Sequence, residues 1–114
     1  MKIETRTRND VTILDLRGRV VLGEPTKLLR ETINDLVDAG KNNLVLNLAD
    51  VPFVDSGGVG TMFAGLTTAR REDGSIRLLN LTGRVEQLMH MVGAEIAFGP
   101  FFDDEDQAIA SFND

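Results

Sequence analysis

The chain has 114 residues, 42% of them hydrophobic, which suits one domain over residues 1–114 with an ordinary core and little room for a second. Its formal net charge of −6 opposes binding to nucleic acid or to an anionic membrane surface. There is no cysteine and a single histidine, His90, so disulfides and thiolate metal centres are excluded and a His-rich metal site is not expected. The first ten residues are polar and charged, unlike a signal peptide, and no apolar run approaches the ~20 residues of a membrane span. A soluble cytoplasmic protein without membrane insertion is the expectation.

Met1 to Thr7 alternates apolar and polar residues, Arg8-Asn9-Asp10 reads as a turn, and Val11 to Leu16 as a second strand. Gly18 ends this hairpin, and Arg19-Val20-Val21-Leu22 predicts a short third strand. Glu24 and Pro25 open a first helix, where the fixed φ of proline suits the first turn. Leu28, Leu29, Thr32, Ile33, Leu36 and Val37 form its apolar stripe, and Gly40 is placed to end it. Leu44 to Leu48 is apolar at nearly every position, the mark of a strand that is covered on both faces.

After Ser56 a second helix carries Val59, Met62, Phe63, Leu66 and Ala69 inward and ends before Gly74. Ser75 to Leu81 is the next strand. Thr82 is positioned to cap a third helix with Val85, Leu88, Met89 and Val92 inward. Ile96-Ala97-Phe98 predicts a short last strand, and Asp104 to Phe112 a final helix docking Ile109 and Phe112. The order β-β-β-α-β-α-β-α-β-α predicts an α/β fold: a mixed, mostly parallel sheet with an N-terminal β-hairpin and about four helices. The run Asp103 to Asp106 reads as a solvated helix start, because acidic residues favour a first turn. An acidic surface for a basic partner is the alternative.

Ser56 is the most informative position. It stands where strand gives way to helix, so its hydroxyl can cap the helix beside free backbone N–H groups. The same place favours a bound or attached phosphate. A nucleophile is a third use, since Asp55-Ser56-Gly57-Gly58 superficially matches the serine segment of trypsin-like proteases. The context does not match: those enzymes are all-β and need a base histidine upstream, whereas His90 lies downstream in a helix. Ser56-Gly57-Gly58-Val59-Gly60 lacks both the Lys-Ser/Thr ending of a P-loop and the spacing of a dinucleotide site. Its glycines either let the helix pack close to the sheet or leave its N–H groups sterically open. Asp50 and Asp55 could make a carboxylate pair for Mg²⁺, but no third acid is near. Asp50 is read instead as capping a turn, and Asp55 as orienting Ser56 or holding a loop N–H. No base, nucleophile and oxyanion donors come together, so neither catalysis nor a cofactor is expected.

The element order, with Val54-Asp55-Ser56-Gly57-Gly58-Val59-Gly60 between central strand and second helix, resembles a STAS domain of the bacterial anti-sigma factor antagonists. In that family the loop typically reads Asp-Ser-Ser/Thr-Gly-Leu-Gly. Gly18 to Glu24, Leu44 to Leu48 and Leu78 to Thr82 are similar to the family as well. The resemblance implies a phosphoacceptor at Ser56 and a partner surface that includes Asp55, Ser56, Gly57, Gly58 and Glu24. It implies an anti-sigma factor with serine kinase activity and a serine phosphatase as partners, with room for a homodimer. The unphosphorylated antagonist captures the anti-sigma factor and frees the sigma factor. Two positions depart from the pattern: Gly57 replaces a second hydroxyl, and Val21 stands where many members carry aspartate, with Glu24 supplying acidic character nearby. These departures motivate an alternative, a STAS scaffold without phosphorylation in a larger assembly or lipid-transport complex. A small enzyme or nucleotide-binding protein is the third reading.

Overall fold

A computed structural model describes residues 1–113. The chain runs β1 (Lys2–Arg8), β2 (Val11–Arg17), α1 (Glu24–Asp38), β3 (Asn43–Asp50), α2 (Ser56–Arg71), β4 (Ser75–Leu79), α3 (Gly83–Met91), α4 (Ala94–Phe98) and α5 (Glu105–Ala110), closing with a 3₁₀ turn over Ser111–Asn113. The sheet order is β1-β2-β3-β4, with β1 antiparallel to β2 and the other pairs parallel. The expected mixed α/β sheet with its N-terminal hairpin is therefore present. Asn9 and Asp10 both take positive φ, at 51° and 64°, as a two-residue hairpin turn requires.

Register sorts the sheet into two faces. Leu14 lies opposite Leu46 and Leu46 opposite Leu78, and all three are fully buried. They pack with Leu29 and Ile33 of α1, Met62 and Leu66 of α2, and Val85 and Met89 of α3. The other face is smaller: Val11, Ile13, Val45 and Leu79 meet Ala108 and Ile109 of α5. This two-sided cover explains the nearly continuous apolar run of β3.

Several sequence expectations change. Arg19 to Leu22 is no strand; Val20 makes a single bridge to Val54. Ile96 to Phe98 belongs to α4, because Gly93 takes a left-handed turn at φ 76° and restarts the helix. The place beside β4 goes to Phe102, whose N–H donates to Leu78 O at 3.0 Å while its carbonyl accepts from Asn80 N at 2.8 Å. The final helix divides into α5 and the 3₁₀ turn, and α4, standing where a last strand was expected, brings the α-helices among the described residues to five rather than about four. Val92 ends α3 exposed instead of inward, and the Thr82 side chain makes no capping bond.

Candidate functional site

The site is built where β3 ends. Val51 N–H turns back to Leu48 O at 3.0 Å, and Val51 and Val54 are buried, which leaves Pro52 and Phe53 outside. Val20 N–H donates to Phe53 O at 3.0 Å, and Asp55 N–H donates to Val20 O at 3.3 Å. The segment after β2 is thus stitched to the loop that precedes α2.

Asp55, not Ser56, is the helix cap. Its backbone is extended, and its Oδ1 accepts from Gly58 N–H at 2.8 Å. The same carboxylate accepts from Leu22 N–H, with Oδ2 at 3.0 Å. Donation from Leu22 first, and from Gly58 next, holds the Asp55 carboxyl below its ordinary range. One ionised side chain therefore ties three segments together: the end of the β2–α1 loop, the β3–α2 loop and the first turn of α2. Of the two roles expected for Asp55, holding a loop N–H is the one it has.

Ser56 moves to the first helical position. It is exposed, and its hydroxyl has no hydrogen-bond partner among the described residues. The positive end of α2 favours added negative charge there, while the neighbouring Asp55 opposes it.

The two glycines are packing devices. A Cβ on Gly58 would lie 2.1 Å from Val20 O and 2.8 Å from Val54 Cγ1, contacts that no side chain can adopt. A Cβ on Gly57 would lie 2.9 Å from Leu22 Cβ, so the family's second hydroxyl cannot enter without a shift of Leu22. Gly58 N–H is already engaged by Asp55, so this loop does not offer the open row of N–H groups that a phosphate-binding loop needs.

Leu22 is a residue the sequence reading passed over. It is 77% exposed, against 40% for Phe53, and both flank the Ser56 corner through the bonds just described. The Arg19 guanidinium stacks 4.9 Å from the Phe53 ring centre. The available signal was an apolar residue beside Gly23, in a segment too short to be a secure strand.

Among the described residues, none of the remaining candidates Glu24, His90 and Asp50 bonds to Ser56. Glu24 is exposed at the start of α1, which is fastened by Gly23 N–H donating to Thr26 Oγ1 at 3.1 Å. His90 is exposed on α3 and pairs with Glu95, and it makes no bond to Ser56. Asp50 caps no turn with its side chain; it approaches Arg17 at 3.6 Å. Among the described residues no cluster of His, Cys, Asp or Glu is arranged to hold a metal.

The acidic run near the C-terminus is less solvated than its composition suggests. Asp104 Oδ1 caps α5 by accepting Gln107 N–H at 3.0 Å. Glu105 pairs with Arg6 and with Arg8, the latter at 2.6 Å, and Asp106 pairs with Arg8 at 2.7 Å. Arg6 above all holds the Glu105 carboxyl down to about 2. Part of the negative excess is therefore neutralised within the molecule.

With this geometry in place, the comparison with known families is decisive. The model of the STAS domain matches residues 2–108. The chain belongs to the STAS domain family. No curated protein matches it. Among solved structures, a putative anti-sigma factor antagonist from Thermotoga maritima superposes with a TM-score of 0.89 at 20% identity, covering 98% of this chain and 95% of that one. The Bacillus cell fate determinant SpoIIAA in its phosphorylated form gives 0.74 at 18% identity, covering 96% and 98%. A STAS-like fold also lies within the murine anion transporter Slc26a9, with a TM-score of 0.76 at 16% identity over 95% of this chain and 18% of that one. At such identities these structures establish the shared fold. Among the described residues no helix is long and apolar enough to cross a membrane.

Proposed function

We propose that this STAS domain is a phosphorylation-controlled binding module of the anti-sigma factor antagonist kind. Ser56 is its phosphoacceptor. Unphosphorylated, it binds an anti-sigma factor that is also a serine kinase; phosphorylated, it lets that partner go, and a serine phosphatase resets it. The chain itself carries out no chemistry. The observation that carries this reading is the exposed, unbonded Ser56 hydroxyl at the first position of α2, beside exposed Leu22 and Phe53. A kinase can reach such a hydroxyl without opening the fold.

The physics supports a switch without refolding. A phosphate adds about −1.5 to −2 charges at pH 7. The free domain tolerates this at a helix N-terminus, with an effect on the order of 1 kcal/mol. Pressed against a partner's apolar or acidic surface, the same charge is desolvated and repelled. A difference of ~4 kcal/mol weakens binding about a thousandfold. Incubation with the cognate kinase and ATP is expected to add one phosphate, at Ser56. Stoichiometric phosphate elsewhere, with Ser56→Ala behaving as wild type, sinks the reading.

A scaffold role without phosphorylation is favoured by one feature, Gly57, where the usual second hydroxyl would require Leu22 to shift. A stable assembly indifferent to Ser56→Asp is the outcome that selects it.

A further inference from the structure

The far end of α2 carries a second feature. Arg70 lies about 21 Å along the helix from Ser56, at 1.5 Å per residue. There α2, α4 and α5 border a cleft of about 680 Å³. Its walls include Ile96, Ala97, Pro100, Phe102 and Ala110. Volume and lining match those of small-molecule sites, which are mostly apolar with a few polar groups for orientation. Ile96 is 92% exposed at the rim of this cleft, with apolar surface that a bound ligand would cover.

Charge sets the cleft apart. The chain holds 18 Asp and Glu against 12 Lys and Arg, yet none of the described lining residues is acidic and two are arginines. Arg77 is built into the wall: its Nε donates to Ser111 Oγ at 2.9 Å, Nη1 donates to Ser75 Oγ at 2.7 Å, and the guanidinium lies 4.6 Å from the Phe112 ring centre. Arg70 differs. It donates to the Ala97 carbonyl, a neutral acceptor, and pairs with no carboxylate among the described residues. That bond uses one of five guanidinium donors, and Arg70 is part of the cleft's lining.

We infer that this cleft is a second binding site, taking a small amphipathic carboxylate whose acid group meets Arg70 and whose apolar part covers Ile96, Pro100 and Phe102. The carboxylate supplies the anion that Arg70 lacks among the described residues, and guanidinium and carboxylate match in a two-point fork. The apolar part removes Ile96 from water. The site is separate from Ser56 and does not depend on its phosphorylation.

Titration of the full chain with octanoate, followed by amide NMR shifts, tests this. Saturable shifts are expected at Ala97, Gly99, Phe102 and Ala110. Octanol, with the same chain and no charge, is expected to bind more weakly. Arg70→Ala weakens octanoate about tenfold, the weight of one charge-assisted contact, and leaves octanol unchanged. Ala110→Trp, at an exposed position on the cleft wall, fills the space and removes both ligands' shifts. Shifts absent or scattered over the surface overturn the inference, as does equal octanoate affinity in wild type and Arg70→Ala with the fold intact.

Discussion

Asp55 and Asp104 cap their helices alike, each accepting the N–H three residues on, at 2.8 Å from Gly58 and 3.0 Å from Gln107. Their surroundings differ. Around Asp55 the remaining fastening is a neutral donor, Leu22 N–H, and the close approach of Gly58 to Val20. Around Asp104 the next two residues, Glu105 and Asp106, are fastened to β1 by Arg6 and Arg8. The Ser56 corner is held by neutral bonds and packing, whereas at α5 ion pairs are added to the packing of Ala108 and Ile109 against the sheet. Charge added near α5 meets arginines, whereas Asp55 and Ser56 take part in no ion pair among the described residues. The proposed phosphate at Ser56 would therefore meet no such ion-pair network among the described residues.

The comparison breaks most visibly at Gly58. Gly58→Val drives a side chain into Val20 O and is expected to cost more than about 3 kcal/mol in urea unfolding, the range of severe core clashes. A near-neutral result means that the two segments are not packed as described. Asp55→Ala comes next. It leaves Leu22 N–H and Gly58 N–H without their acceptor, so exchange of the Leu22 amide is expected to speed up about tenfold while α5 amides stay protected.

Acid and salt sharpen the contrast. The Glu105 carboxyl is lowered from 4.5 to about 2, and Asp15 is lowered chiefly by Arg6. Carboxyls held down in the folded state stabilise it above their unfolded values, and that stability is lost as pH falls through the folded ones. The α5 dock therefore loosens between about pH 4.5 and 2. Asp55 is also held down, so acid reaches both corners, and salt separates them. Molar NaCl screens the half-exposed arginine pairs and spares the neutral bonds around Leu22. Faster α5 exchange in salt with Leu22 unchanged is the expected pattern. The smallest effect is Ser56→Ala: the hydroxyl has no partner among the described residues, so stability changes by less than ~0.5 kcal/mol. A loss well above that would make Ser56 a cap after all.

Sequence periodicity was enough for the long elements. Of the expected α1 stripe, Leu29, Ile33 and Val37 are buried, Thr32 and Leu36 lie half-buried and Leu28 is exposed, while the apolar run of Leu44 to Leu48 occupies the positions its spacing demands. It failed where a segment was short and its neighbours were distant. Ile96 to Phe98 has strand composition, but Phe102 takes the place beside β4, which no local pattern reveals. Asp55 and Ser56 are both good caps one residue apart, so composition could not choose between them. The Leu22–Asp55 bond joins residues 33 apart, and the α5 pairs join residues 97 to 99 apart. Such links are readable only once the fold has brought their ends together.

We propose that charge at Ser56 decides whether the partner stays. The most direct test is the affinity of the anti-sigma factor, captured from the source cell, for the unphosphorylated and the Ser56-phosphorylated domain by calorimetry. The account predicts a loss on the order of a thousandfold on phosphorylation, with the free domain equally folded in both forms. Equal affinities would contradict it.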